Sequence, residues 1–337
     1  MAQEDPFEGL LGDTMKQKKQ ALVFANTRPR AESLAKQTAV IINPLLSVEE
    51  KKSLEKLSQK IENALEIPTE QCKKLAHLIK NGVAFHHAGL IARQRELVED
   101  NFRNGLLKVI SSTPTLAVGC NLPAFRVIIT SVQRFDFSGM KNIPVREYKQ
   151  MAGRSGRPKY DKAGESIVLC KTEIEAEEVK RNYILGKMEE VSSKLGVQPV
   201  LRMHLLALIA SKYIFDVDSM DDFFARTFYA QQYHDLDNLK RMLRGLIKEL
   251  YELEFIDGEE NRFWATKIGQ RVAELYLDPL SASALIKKLK RDKLNTFSVL
   301  FALTDTTEIR PYVNVSAKKE PEIWEEIQKR WEEMPLD

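Results

Sequence analysis

The residues Gln150-Met-Ala-Gly-Arg154-Ser-Gly-Arg157-Pro158 set two guanidiniums three positions apart, each preceded by a glycine, with a glutamine at the head. A guanidinium is planar, permanently charged and shaped for bidentate contact with phosphate oxygens. Small neighbours let the backbone approach a bulky anion. Paired arginines of this kind look like arginine fingers, which stabilise charge on a transferring phosphoryl group. The other reading of the same residues is a basic, glycine-containing turn on a surface.

Such residues need a scaffold. Gln20-Ala-Leu-Val-Phe24 is a short apolar run ending in Ala25-Asn26-Thr27-Arg28-Pro29, a strand, a turn and a helix starting near Arg30. Further strands are expected at Val83-Ala-Phe85, Lys108 to Thr113, Val127 to Thr130 and Ser166 to Cys170. Lys- and Glu-rich helices fill 47–80, and another helix runs from about Ile91 to Asn104. Strands alternating with helices predict a parallel α/β sheet. Asn26-Thr27-Arg28, His86-His87 and Thr113 all follow strands, and in an open parallel sheet those ends share the ligand-binding edge. Residues 1–18 read as a loose lead-in.

From about residue 173 helical patterns dominate. Helices are expected over 199–213, over 219–231 capped by Asp218 or Ser219, and over 235–253 with a leucine stripe. A hairpin over 255–264 follows, then helices over 266–291 and 319–333. This order suggests a winged helix. Lys240, Arg241, Arg244 and Lys248 lie off the leucine stripe of 235–253, so that helix either binds duplex DNA or packs on a neighbouring domain.

The 337 residues call for two or three domains. A hydrophobic share of 43% and a charged share of 29% belong to a soluble globular chain. Basic and acidic residues number 51 and 48, a net charge of +3, so nucleic-acid binding has to be argued from local patches. Cys72, Cys120 and Cys170 are scattered and the five histidines show no zinc spacing, so no metal site is expected and a reducing, cytoplasmic setting is. No stretch approaches the roughly 18 apolar residues of a membrane span.

Four stretches matter together: Phe24-Ala-Asn-Thr-Arg28, Phe85-His-His-Ala-Gly89, Ser112 through Gly119-Cys-Asn121 to Ala124, and the run from Gln150 to Pro158. Their order and wording resemble motifs IV, IVa, V and VI of superfamily 2 helicases of the Ski-like class, and within it the archaeal Hjm-type DNA repair helicases. The likeness covers residues from about 20 to 290. It implies a fold: a RecA-like parallel-sheet lobe, the second of a two-lobed motor, over 1–185. A winged-helix domain would follow over 186–275, and the truncated start of a helical, ratchet-like domain over 276–337.

The resemblance also implies roles. ATP with Mg²⁺ would sit between this lobe and a first lobe. Arg154 and Arg157 would reach the γ-phosphate, Gln150 would sense the nucleotide, and Gly119, Asn121 and Gly153 would lie by the same cleft. Asn26, Thr27, Arg28, His87, Gly89 and Thr113 would contact phosphates of single-stranded DNA, since hydroxyl, amide and backbone donors grip phosphates without reading bases. A hairpin near 132–144, with Phe135, Phe137 and Met140 as apolar tips, would split the duplex at a fork. Each residue has a plainer reading: Asn26 and Thr27 as helix caps, His86 and His87 as a buried pair, one tip phenylalanine packed inward.

No Gly-x-x-x-x-Gly-Lys-Ser/Thr run and no Asp-Glu-x-His box occur in the chain. The expectation is therefore a C-terminal piece of a 3′–5′ DNA helicase of repair and replication forks, inactive without its first lobe and nucleoid-associated. The alternatives are a non-catalytic nucleic-acid-binding module, or an RNA helicase of the same class. Only about 40 residues separate Pro158 from Pro199, too few for the large insertion usual in the RNA-decay relatives, which favours DNA.

Overall fold

The computed structural model describes residues 5–119, 122–136, 139–157, 161–259, 261–290, 294–309 and 312–334. Contacts divide the chain into two compact units, Met1–Glu190 and Val191–Asp337, each with its own apolar core.

The first unit holds β1 (Ala21–Phe24), β2 (Val83–His86), β3 (Val109–Ser112), β4 (Arg126–Ile129), β5 (Gln133–Asp136), β6 (Gly139–Asn142) and β7 (Glu165–Val168). β5 and β6 form an antiparallel hairpin, and the other five make one parallel sheet in the spatial order β2-β3-β1-β4-β7. These five strands fall on the five apolar runs of the sequence. Every residue of β1 to β4 is buried, as a sheet covered by helices on both faces requires. Register aligns Phe24 with Ser112 and Ile129, and His86 with Ser112. The turns after β1, β2, β3 and β4 therefore leave on one edge.

Helices α1 (Pro6–Lys16), α2 (Arg28–Ile42), α3 (Val48–Glu62), α4 (Glu70–Ile79), α5 (Ala92–Arg103), α6 (Thr115–Gly119), α7 (Val145–Ala152) and α8 (Glu173–Val179) complete this unit. Side-chain caps start several of them, with Thr27, Thr69 and Thr172 accepting from backbone N–H groups and Ser47 closing a capping box with Glu50. The lead-in is not loose: α1 begins on an Asp5 cap with Pro6 in its first turn, and buries Phe7 and Leu11. The Arg126 guanidinium, 3% exposed, holds it by donating to Leu10 O at 2.7 Å, Thr14 Oγ1 at 2.8 Å and Asp13 at 2.7 Å.

The second unit contains α9 (Gln198–Ala210), α10 (Val217–Ala225), α11 (Phe228–Tyr233), α12 (Leu236–Glu252), a ribbon of β8 (Ile256–Glu259) and β9 (Arg262–Ala265), then α13 (Lys267–Glu274), α14 (Pro279–Leu289), α15 (Thr296–Thr304) and α16 (Glu320–Lys329). Two helices expected to be continuous are broken. The 219–231 helix ends at Ala225, because the Thr227 hydroxyl donates to Phe224 O at 2.7 Å and accepts from Ala230 N to start α11. The first of the pair is capped by Asp216, upstream of the expected Asp218 or Ser219. The 266–291 helix breaks where Tyr276 turns left-handed and Asp278-Pro279 opens α14. Along α12, Leu239, Leu243, Leu246 and Leu250 are buried as the stripe requires.

Arg202 of α9, side chain 4% exposed, binds the Asp278 carboxylate through Nε at 2.8 Å and Glu249 of α12 at 3.1 Å. One buried cation thus ties α9, α12 and the start of α14. Removing one partner of such a cluster strands buried charge at a cost of about 3–5 kcal/mol. All three tryptophans, Trp264, Trp324 and Trp331, lie in the second unit. Urea unfolding of Arg202→Ala followed by tryptophan fluorescence should show a loss of that size; a loss below about 1 kcal/mol would show the cluster to be incidental.

Candidate nucleic-acid and nucleotide interface

A cleft of about 560 Å³ opens at the carboxyl edge of the sheet. Asn26, Thr27 and Arg28 reach it from the end of β1, Thr113 and Thr115 from the end of β3, Arg134 from the hairpin, and Arg146, Glu147 and Gln150 from α7. Its three guanidiniums face one carboxylate, and Arg134 takes up that carboxylate at 2.9 Å. Arg28 and Arg146 make no ion pair among the described residues. The cleft is net positive, edged by hydroxyls and amides, and backed by the N-terminus of α2, whose dipole favours anions.

Several predicted contacts already have internal work. The Thr27 hydroxyl caps α2, accepting from Arg30 N at 3.3 Å. The Asn26 amide donates to Gln133 O and so ties the end of β1 to the hairpin. Thr113 and Thr115 share a hydroxyl hydrogen bond of 2.8 Å.

His87 and Gly89 do not line the cleft. The His87 ring, 2% exposed, stacks on Phe85 at a centroid distance of 5.1 Å. Its Nδ1 accepts from Gly89 N at 3.2 Å, which leaves the proton on Nε2, 3.4 Å from Glu32. Burial pushes the His87 imidazole below its ordinary pKa, against the pull of Glu32. His86 is likewise buried, with Nε2 3.1 Å from Glu99, and is shifted down by the same cause. The buried-pair reading describes both rings.

The hairpin pairs Phe135 with Met140 directly across its strands. They are 74% and 64% exposed, so neither packs inward. Phe137 lies outside the described residues. Glu189 accepts from Val145 N at 2.6 Å and Arg146 N at 3.0 Å, supplying the cap that Pro144 cannot.

At the other end of α7 lie the two arginines. Gly153 is the C-cap, Gly119 closes α6, and Asn121 lies outside the described residues. Arg154 donates from Nε to Ala117 O of α6 at 3.1 Å. Gly156 turns with a φ of +88°, and its backbone presses on Gly164, where an added Cβ would sit 2.2 Å from Gly156 N. That contact fixes the loop leading to Arg157. The Arg157 guanidinium donates to Gln20 Oε1 at 2.7 Å and to Asp161 at 2.8 Å. Gln20 is oriented in turn, its amide donating to Phe102 O and Leu107 O, both at 2.7 Å.

Gln20 precedes β1, so Arg157 stands at the amino edge of the sheet, opposite the cleft. Gln150 is the sixth of the eight residues of α7 and lines the cleft from about 4.5 Å of helix rise before the C-cap Gly153. Gln150 thus shares the cleft lining with Asn26 and Thr113 while standing four residues before Arg154. Sequence reading missed Arg134, Arg146 and Glu147 in the cleft and Gln20 and Asp161 around Arg157. Of these only Asp161, four residues from Arg157, had a local signal. Among the described residues no group of three His, Cys, Asp or Glu could hold a metal ion. No helix of the described residues is long and apolar enough to cross a membrane.

A five-stranded parallel sheet with phosphate-type donors on its carboxyl edge and paired arginines beyond one helix defines a RecA-like helicase lobe. Residues 41–159 match the helicase conserved C-terminal domain family. The chain is 41% identical over 312 residues to the ATP-dependent DNA helicase Hel308 of Methanocella arvoryzae, covering 91% of this chain and 42% of that one. It is 40% identical over 309 residues to the Hel308 of Pyrococcus horikoshii (90% and 42%), and 41% identical over 276 to that of Pyrobaculum calidifontis (80% and 38%). The chain belongs to the Hel308 family of superfamily 2 helicases and spans about two fifths of the length of the curated relatives it matches.

Burial pushes the Asp161 carboxyl up, but hydrogen bonds and charge from Arg157 and Lys19 outweigh it and hold it at about 2, below the ordinary 3.8. A carboxyl depressed on folding contributes stability above its unfolded pKa and loses it as pH falls through the folded one. Wild type should therefore lose stability between about pH 3.8 and about pH 2 through this group. Asp161→Asn should be less stable at neutral pH and flatter across that window in urea titrations followed by far-UV circular dichroism. Parallel curves would show that Arg157 does not depend on the carboxylate.

Proposed function

We propose that this chain is the C-terminal motor portion of an ATP-dependent DNA helicase. The carrying observation is the division of labour across α7, with a cationic, donor-rich cleft at one end and two anchored arginines at the other. The relatives, each an ATP-dependent DNA helicase by name, support the same reading. In it, Arg28, Arg146 and the Thr113 region take the phosphates of a single strand, with charge and hydroxyls in place of base-reading groups. Arg154 and Arg157 present positive charge to the terminal phosphate of a nucleotide held by a first RecA-like lobe. ATP bound there supplies the phosphoryl transfer. Gly119, Asn121 and Gly153 border the nucleotide through backbone in the family pattern.

Arg157 is held by Asp161 and Gln20 in this lobe, so engaging a phosphate means exchanging one oxyanion partner for another. Asn26 and Arg134 fix the hairpin base to β1 and α7, which makes the Phe135–Met140 tip a rigid apolar wedge for a fork. Tracking 3′ to 5′, action in repair, an archaeal source and a cytoplasmic, nucleoid-associated site complete the reading by family likeness. Residues from about 191 to 275, with helices before a two-stranded ribbon, are read as a winged helix. On α12, Lys240 and Arg244 both bind Asp221 at 3.1 Å, which favours packing over duplex binding for that face.

In the longer polypeptide that includes a first lobe, Arg157→Ala should cut DNA-stimulated ATP hydrolysis about 10³-fold or more while leaving single-strand affinity within about twofold. Unchanged turnover rules the finger role out. Phe135→Ala/Met140→Ala should slow fork unwinding at least about tenfold with ATPase retained; equal loss of both would deny the wedge. The internal partners of Arg157 favour one second reading, a binding module whose arginines are structural. Adding a separately made first lobe discriminates, since rescued, DNA-stimulated hydrolysis excludes the module. Competition between matched DNA and RNA 3′-tailed substrates decides the sugar, which phosphate contacts do not read.

A further inference from the structure

A second groove, of about 680 Å³, lies between α2 and α4, outside the cleft. Lys36 of α2 and Lys73, Lys74 and His77 of α4 line it, and no carboxylate does. Lys36 and Lys74 make no ion pair among the described residues, and Lys73 meets only exposed Glu70 at 3.1 Å, a contact worth little. Between the cations lies an apolar floor of Ala39, Val40 and Leu78, with Val40 77% exposed.

The helix dipoles do not account for these charges. Cations complement a helix C-terminus only within its last turn, yet the last turn of α2 has no basic residue and that of α4 has only His77. Nor does the strand path account for them. The cleft takes the N-terminal end of α2 at Thr27, whereas the groove takes its far half from Lys36 to Asn43. No Phe, Tyr or Trp lines the groove, whose one ring is the His77 imidazole, so a run of unstacked bases would find no platform there. Ammonium groups around an exposed valine instead suit carboxylates flanking an apolar side chain.

We propose that the α2–α4 groove is a docking site for an acidic peptide segment of a partner protein, anchored by one or two aliphatic residues. Carboxylates of that segment pair with Lys36, Lys73 and Lys74, and its aliphatic side chain covers Val40. The proposal is independent of the helicase reading, because none of these residues belongs to the cleft or to the arginine loop.

The probe is a fluorescein-labelled Asp-Glu-Asp-Leu-Leu-Asp peptide, compared with the same peptide bearing Ser-Ser for Leu-Leu, in fluorescence anisotropy with the intact chain. The Leu-Leu peptide should bind with a Kd of about 1–100 μM, and the Ser-Ser peptide at least about tenfold more weakly. Lys36→Glu/Lys74→Glu and, separately, Val40→Asp should each weaken the Leu-Leu peptide about tenfold or more, with far-UV circular dichroism unchanged, since all three side chains are exposed. Oligothymidylate of about 12 nucleotides should neither displace the peptide nor lose affinity in these variants. No saturable binding up to about 1 mM, equal binding of both peptides, insensitivity to the variants, or displacement by the oligonucleotide would each overturn the proposal.

Discussion

Burial of the parallel sheet on both faces is the constraint from which the rest of the first unit follows. A strand with helices on either side disfavours polar groups, so β1 to β4 are mostly apolar, with the Ser111 hydroxyl and His86 Nδ1 buried and without a hydrogen bond. Arg126, the charged exception, is satisfied by α1 and Glu165 together. Everything able to do chemistry is pushed to the two ends of the strands. Because register aligns Phe24, Ser112 and Ile129, those ends form two separate edges.

The two edges are chemically different. The carboxyl edge gathers helix N-termini, hydroxyls and the guanidiniums of Arg28 and Arg146, which make no ion pair among the described residues, and all of these attract a polyanion. At the amino edge the cations are matched: Lys19 and Arg157 converge on Asp161, and Lys108 reaches Glu50 at 2.6 Å. An arginine that shares a buried carboxylate with Lys19 is oriented but not exposed as bare charge. The first edge thus offers standing attraction, while the second holds charge that becomes available by exchange of partners.

The parts that could be read from the chain were those decided within a few residues. The five apolar runs became strands, Thr27 behaved as a cap, and the leucine stripe of α12 faced inward. What escaped was decided partly by contacts between distant segments and partly by local side-chain geometry that apolar periodicity hides. Residues 1–18 looked loose although Asp5-Pro6 marks a helix start, because what anchors α1 is Arg126. His87 looked available until its stacking on Phe85 and its bond to Gly89 placed it inside. The Asn26 amide and Gln20 are both committed to residues across the fold, Gln133 and Arg157, that no local pattern links to them. Breaks at Thr227 and Tyr276 were hidden because the apolar periodicity runs on through both.

The close approach of Gly156 to Gly164 has a bearing on timing. With two backbones pressed together, the loop leading to Arg157 has little room to shift as a body, so its guanidinium changes position by rotating about its own bonds. Side-chain rotations take picoseconds to nanoseconds, whereas rearranging a loop takes nanoseconds to microseconds. In the proposed motor, the arginine would then keep pace with any lobe closure, and the wait would lie in parting it from Asp161.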